Sequence, residues 1–317
     1  MPNIPTKVCI VVPCYNEQEI LKQSVDSLQA LLGELMRDGI ADADSFIALV
    51  DDGSSDRTWV LMEELKTTYD SNLRAIKLSR NHGHQSALLT GLLVFGNDVD
   101  CTISIDADLQ DDILVMKDML VLYKQGFDVV YGVRNQRKSD TFFKRFTAEF
   151  FYKLMLFLGV KIVYNHADYR LASSRVIKVL GDFKEVNLFL RGIFPLIGFK
   201  SAEVYYDRKE RTAGESKYPI RKMLSFAWDG ITSFSVQPLR FIFYAGLIIF
   251  LWSLIYLIYI LYVYLENNVI RGWTSLATSL YFMGSIQLMA IGIIGEYIGK
   301  IYSETKQRPR FTIDRII

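Results

Sequence analysis

Acidic side chains bunched where an apolar run ends are the part of this chain best suited to chemistry. Ile103-Ser-Ile-Asp-Ala-Asp-Leu-Gln110 alternates apolar and small residues, then delivers Asp106, Asp108 and Gln110 in quick succession. Asp-x-Asp pairs occur three times, as Asp42/Asp44, Asp98/Asp100 and Asp106/Asp108, so the spacing alone selects nothing. Position does select. Asp98/Asp100 precedes the apolar segment Cys101 to Ile105, whereas Asp106/Asp108 follows it, at the carboxyl end where open α/β sheets bind ligands. Hard divalent cations take carboxylate oxygens and share them with substrate phosphates, so Asp106 and Asp108 read as a Mg²⁺ or Mn²⁺ site holding a diphosphate. A helix start with an acidic first turn, Asp108, Asp111 and Asp112, is the competing explanation.

The elements that must position these groups follow from periodicity. Lys7 to Pro13 reads as a buried strand, and Leu21, Val25, Leu28, Leu32 and Leu35 then recur at helical spacing. Phe46 to Val50, Arg74 to Leu78, Cys101 to Ile105 and Phe127 to Val133 are further strands, with helical stretches near 84–95 and 111–125. Strands alternating with helices imply βαβ units and a mostly parallel sheet with a crevice at the strands' carboxyl ends. Three such ends carry polar signatures: Pro13-Cys-Tyr-Asn-Glu17, Asp51-Asp-Gly-Ser-Ser-Asp56 and Asp106-Ala-Asp-Leu-Gln110. A nucleotide laid across them would find carboxylates for its base and ribose donors and a cation for its diphosphate.

Half of the 317 residues are apolar, and the excess lies near the end. Phe241 to Leu265 and Gly272 to Gly295 run without a charge, and each exceeds the roughly 20 residues that span a bilayer core. Only Glu266 to Arg271 separates them, so they form a hairpin with both ends on one side. Lys300, Lys306, Arg308, Arg310 and Arg315 follow it, and Arg208, Lys209, Arg211, Lys217, Arg221, Lys222 and Arg240 precede it. The positive-inside rule therefore puts the first domain and the tail in the cytoplasm. The amino terminus lacks a signal-peptide pattern. Cys9, Cys14 and Cys101 read as reduced thiols, and a formal net charge of +1 argues against a nucleic-acid binder. Residues 1–235 are expected to form the cytoplasmic catalytic domain, 236–300 the two transmembrane helices (about 241–265 and 272–295), and 301–317 a basic tail. Phe142 to Leu158 and Tyr218 to Val236 interleave aromatic and basic residues, as helices lying in the membrane interface do. Gly284, Gly292, Gly295 and Gly299 allow close packing between the two spans or between copies of the chain, so a homo-oligomer stays open.

The three strand-end signatures together resemble glycosyltransferase family 2, the inverting enzymes of GT-A fold. Within it, the polyprenyl-phosphate branch, which includes bactoprenol glucosyltransferases and dolichyl-phosphate mannose synthase, is the nearer likeness. Asn165-His-Ala-Asp-Tyr-Arg-Leu171, Gly214-Glu-Ser-Lys-Tyr218, Asp229-Gly-Ile-Thr-Ser-Phe-Ser235 and Gly295-Glu-Tyr-Ile-Gly-Lys-Ile-Tyr302 extend it over nearly the whole chain. The resemblance implies that Pro13, Tyr15, Glu17, Asp51 and Asp52 border the nucleoside. It implies that Asp106 is the ribose-side or metal-side aspartate and that Asp108 and Gln110 are metal ligands. Asp168 would sit near the acceptor phosphate and the reacting carbon, Tyr169 standing where the family has phenylalanine. Arg134 and Arg145 would grip the lipid phosphate, and Arg211, Ser216 and Lys217 would form a loop closing over the diphosphate. His82 and His84 read as loop or phosphate-side residues, because a His-x-His pair without further ligands is weak evidence of a metal.

The implied reaction moves one sugar from a nucleotide sugar, UDP-glucose or UDP-N-acetylglucosamine being the leading donors, to undecaprenyl or another polyprenyl phosphate. A lipid phosphate is already an anion near neutral pH, so a general base is optional. Stabilising charge on the departing diphosphate is the greater need. A processive polysaccharide synthase is a second reading, which the absence of any Arg-Trp pair disfavours. A non-catalytic nucleotide-sugar-binding scaffold is a third. The short exposed hairpin assigns any flipping of the product to a separate protein.

Overall fold

A computed structural model describes residues 4–135, 166–185, 189–207, 237–265 and 272–317. The two expected interfacial helices, Arg145, Arg211, Ser216, Lys217 and the 266–271 turn lie outside these residues.

Four parallel strands make the centre of the sheet: β1 (Val8–Cys14), β2 (Phe46–Asp51), β3 (Leu73–Leu78) and β4 (Cys101–Ser104). Every residue of β1, β2 and β4 is buried, as apolar runs covered on both faces must be. Helices α1 (Leu21–Arg37), α2 (Thr58–Tyr69) and α3 (His84–Phe95) connect them. The buried stripe of α1 includes Leu21, Val25, Leu28, Leu32 and Leu35, the residues whose spacing announced it. Gly91 of α3 is set so close to the sheet that a Cβ would come within 2.4 Å of a Val11 methyl, so that helix sits hard against β1 and β2.

Beyond β4 the direction changes. After α4 (Val115–Lys124) comes β5 (Val129–Arg134), and β6 (His166–Ser173) then inserts between β4 and β5, antiparallel to both. Helices α5 (Ser174–Asp182) and α6 (Leu190–Ile197) lead to β7 (Ser201–Tyr206), which pairs parallel with β5. A last strand, β8 (Ile313–Ile316), lies antiparallel to β3, giving the order β7-β5-β6-β4-β1-β2-β3-β8. Strand order reverses at β1, with β2 and β4 on either side, so the crevice belongs at the carboxyl ends of these three.

Residues 301–317 are therefore not a separate tail. The helix that contains the second apolar segment runs on to Thr305, and β8 covers the outer edge of β3, where Ala75 and Ile317 exchange backbone hydrogen bonds at 2.9 Å in both directions. Residues 1–152, 161–219 and 307–317 form one compact unit. Residues 153–160 and 220–306 form a second, containing α7 (Gln237–Leu265) and α8 (Trp273–Thr305). Among the described residues, Phe282–Thr305 is a helical segment long and apolar enough to cross a membrane.

One glycine decides the shape of the crevice wall. Gly53 has φ +65°, and a Cβ there would lie 2.4 Å from the Arg80 carbonyl carbon. Gly53→Ala is expected to cost about 2–4 kcal/mol, from a left-handed conformation and a backbone clash together. Thermal unfolding of the purified protein checks this; a midpoint within a degree of wild type would contradict it.

Candidate active site

The registers explain why the acidic residues meet. Cys14 of β1 lies level with Asp51 of β2, and Val11 with Ser104 of β4. On the other flank Ser104 pairs with Arg170 of antiparallel β6, so Asp168, two residues earlier, falls beside the chain leaving β4, where Asp106 stands. His84, the first residue of α3, links the two. Its Nε2 lies 3.6 Å from Asp106 Oδ1 and 3.6 Å from Asp168 Oδ2.

Asp51 and Asp52 divide their work. Both oxygens of buried Asp52 accept backbone N–H groups, from His82 at 2.7 Å and Gly83 at 2.9 Å. That carboxylate clamps the loop before α3 and so fixes where His84 stands. Asp51 accepts the Ser54 N–H through Oδ1 at 3.1 Å, while its Oδ2 is buried without a hydrogen-bond partner. Burial pushes both carboxyls up, against the hydrogen bonds that favour their charged forms. Around the end of β1, Tyr15 is exposed, and Asn16 has φ 54°. The Asn16 side chain accepts the Ser55 N–H at 2.9 Å, tying the β1 end to the β2 end. Glu17 N–H donates to Thr58 Oγ1 at 2.9 Å.

At the end of β4, Asp106 Oδ1 is likewise buried with no hydrogen-bond partner, and burial drives its carboxyl up despite nearby His84. Leu109 has φ 44°, a costly conformation for a branched side chain. It turns the chain so that half-buried Asp108 and buried Gln110 follow Asp106 at once, and Gln110 N–H donates to Asp108 Oδ1 at 3.3 Å. Backbone strain of about 1–3 kcal/mol persists where the surroundings hold it, commonly at sites of function.

These residues fit a divalent cation. Among the described residues no three His, Cys, Asp or Glu side chains form a ready metal cage. Mg²⁺ and Mn²⁺ at phosphate sites do not need one, because one or two carboxylates plus substrate phosphates suffice. A buried carboxylate oxygen that accepts no hydrogen bond, followed along the chain by a second carboxylate and an amide, offers oxygens of that kind.

Asp168 is held differently from the other carboxylates. Arg170, itself buried, donates through Nη2 to Oδ1. Arg191 of α6 donates through Nε to Oδ1 at 3.3 Å and through Nη2 to Oδ2 at 3.0 Å. Gln85 Nε2 donates to Oδ2 at 3.3 Å. Burial alone would raise this carboxyl, but Arg191, His84 and Arg170 outweigh it and hold it well below the ordinary carboxylate range. A carboxylate so engaged is a weak base. Its geometry suits holding the Arg170 and Arg191 guanidinium groups in place beside Asp106 and His84.

Arg134 also has a definite partner. Its Nε and Nη2 donate to the two oxygens of buried Asp111 at 3.0 and 3.1 Å. A phosphate reaching this arginine must share it with a carboxylate, which weakens the expected grip. Arg145, Arg211, Ser216 and Lys217 cannot be placed in the site, being outside the described residues. Sequence reasoning gave no site role to Gln85, Arg170 or Arg191, placed Asp111 only in an acidic first helical turn, and read His84 as a loop or phosphate-side residue. Only His84 carried a local signal, a histidine directly after Gly83 at a helix start.

The profile described as Glycosyl transferase family 2 matches residues 9–181, and the one described as GtrB C-terminal hairpin matches residues 237–301. Among similar proteins is the uncharacterized glycosyltransferase YkoT of Bacillus subtilis, 52% identical over 305 residues, spanning 96% of this chain and 90% of that protein. The bactoprenol glucosyl transferase of Shigella phage SfX is 37% identical over 309 residues, covering 97% of this chain and 98% of its own. The prophage bactoprenol glucosyl transferase homolog of Escherichia coli is 37% identical over 315 residues, covering 98% and 99%.

Proposed function

The chain belongs to glycosyl transferase family 2, and on that premise we propose that it transfers a single sugar from a nucleotide sugar to a polyprenyl phosphate, with inversion. The observation that carries this reading is the pair of buried carboxylate oxygens that accept no hydrogen bond, Asp51 Oδ2 and Asp106 Oδ1, at the ends of the two strands that flank β1. Such oxygens call for hydrogen-bond donors and a cation, which a nucleotide sugar brings as base or ribose groups and a metal-bound diphosphate. Near-full-length likeness to bactoprenol glucosyl transferases supports the lipid acceptor and a glucosyl donor, UDP-glucose before UDP-N-acetylglucosamine.

Asp106, Asp108 and Gln110 would hold Mg²⁺ or Mn²⁺, whose chemistry is to neutralise the leaving diphosphate. Asp51 would meet the nucleoside, with Pro13, Tyr15 and Glu17 along the β1 end, and Asp52 acts through the loop it clamps. An acceptor phosphate oxygen attacks the anomeric carbon from the face opposite the diphosphate. The new C–O bond forms as the old one breaks, and the bonding pair departs with the nucleoside diphosphate. Because the nucleophile is already an anion, no side chain need take a proton. Asp168 is thereby left to hold Arg191 and Arg170.

The chain is membrane-associated through its GtrB-type hairpin. We read α7 and α8 as two crossings, with the active site on the cytoplasmic side. Strand β7 precedes the hairpin and β8 follows it, yet both join one sheet, so any crossing in between must be even in number. The basic residues at both hairpin ends favour the cytoplasmic face. On that side the product needs a separate flippase.

Purified protein given undecaprenyl phosphate, Mg²⁺ and a panel of radiolabelled UDP- and GDP-sugars is expected to move label from one UDP-sugar into the organic phase, and EDTA is expected to stop it. Label from GDP-sugars alone would overturn the donor assignment. Undiminished transfer in EDTA would overturn the metal.

A further inference from the structure

Asp168 is shared by two guanidinium groups that differ in access. Arg170 is 1% exposed and stacks over the Phe194 ring at 4.5 Å, so it is a fixed backing charge. Arg191 keeps 34% of its side chain exposed while two of its nitrogens are held by the same carboxylate. A guanidinium fork whose orientation is already set in this way loses little freedom on meeting an anion.

The position of Arg191 is fixed from a second direction. Gln85, next to His84 in α3, accepts the N–H of Leu190 through Oε1 at 3.1 Å and donates to Asp168 through Nε2. One amide therefore ties the first turn of α6 to the carboxylate that grips Arg191. Through Asp168 and His84, Arg191 Nη2 lies no more than about 10 Å from Asp106 Oδ1, the length of the contact path given above. The arrangement is polar in one sense: carboxylates for a cation on the Asp106 side, guanidiniums for an anion on the Asp168 side.

We propose that Arg191, oriented by Asp168 and Gln85, binds a phosphoryl oxygen at the reacting centre, supplied by the acceptor monophosphate or by the donor diphosphate. This rests on the transferase reading above and adds a residue that reading did not need.

The test is steady-state kinetics of full-length protein in detergent, varying a short polyprenyl phosphate such as farnesyl phosphate and the nucleotide sugar separately, with UDP binding measured by calorimetry. R191A and R191Q are expected to lose about 10- to 100-fold in kcat/KM, the usual worth of one charge-assisted hydrogen bond. R191K, which keeps the charge but not the fork, is expected to lose less. A raised KM for the lipid with unchanged UDP affinity identifies the acceptor phosphate. Weakened UDP and donor binding identifies the diphosphate. A purely structural role predicts a lowered thermal midpoint with both KM values and kcat per folded molecule within twofold of wild type, and that result overturns the proposal. Should R191A and R191Q fail to fold, R191K carries the test, because wild-type kinetics in a folded R191K protein overturn it equally. Absence of transfer by wild type with every donor would count against the transferase reading itself, whereas wild-type transfer matched by the variants would remove only the role of Arg191.

Discussion

Replacing Asp108 with alanine is expected to reduce sugar transfer by about 10³-fold or more while leaving the fold intact. The loss follows from where charge develops. As the anomeric C–O bond breaks, the diphosphate gains a negative charge that water would otherwise have to solvate, and a metal held at that point is worth several kcal/mol to the transition state. Asp108 is half-buried beyond the end of β4, and the hydrogen bond it accepts from Gln110 N–H is long, at 3.3 Å. Losing that one bond costs the fold less than about 1 kcal/mol, and Asp108 is not part of the buried core. Transfer rate and thermal midpoint measured on the same preparation separate the two effects. A variant within tenfold of wild-type turnover would contradict the proposed metal-holding role of Asp108.

The second large effect is on stability. Asp168→Ala leaves Arg170, 1% exposed, without the carboxylate it pairs with, and breaking a buried pair on one side typically costs about 3–5 kcal/mol. Asp168→Asn keeps the shape and some hydrogen bonding but removes the charge, so it should fall between wild type and alanine. The pH dependence has a definite sign. The folded-state pKa of Asp168 is depressed below the unfolded value near 3.9, so its stabilisation is fully present above that value and is lost as pH falls toward the folded value. Wild type should therefore lose stability on the acid side more steeply than Asp168→Asn. Parallel acid limbs in denaturant titrations at several pH values would mean that Arg170 and Arg191 do not hold this carboxylate charged.

What could be read from the residues alone was the half of the site built from consecutive parallel strands. There the chemistry is local: an apolar run that must be buried ends in carboxylates, as at Val50-Asp51-Asp52 and Ile105-Asp106, whose burial calls for partners. The other half depends on pairing between distant segments. Antiparallel β6 brings Asp168 beside Asp106, but nothing in the local pattern gives the direction of a strand. Arg170 stands in Asn165-His-Ala-Asp-Tyr-Arg-Leu171 without a role of its own, because its pairing with Asp168 two residues away takes shape only once the strand is built. Arg191 stands in Phe189-Leu-Arg-Gly-Ile-Phe194, whose apolar neighbours give no hint of a carboxylate. Strand β8 was hidden by Asp314 and Arg315, which lend Ile313–Ile316 the look of a basic tail. At an edge beside β3 those charged residues can stay in water, and Arg315 reaches Glu63 at 3.4 Å.

The most direct measurement is the structure of the lipid product. Wild-type protein incubated with undecaprenyl phosphate, Mg²⁺ and an α-linked UDP-sugar should yield one new lipid whose mass equals the acceptor plus a single sugar residue. Proton NMR of its anomeric centre should show the β-linked phosphodiester expected from one displacement. An α-linked product would contradict direct attack by the lipid phosphate, and release of free sugar with no glycosylated lipid would contradict the acceptor on which the account depends.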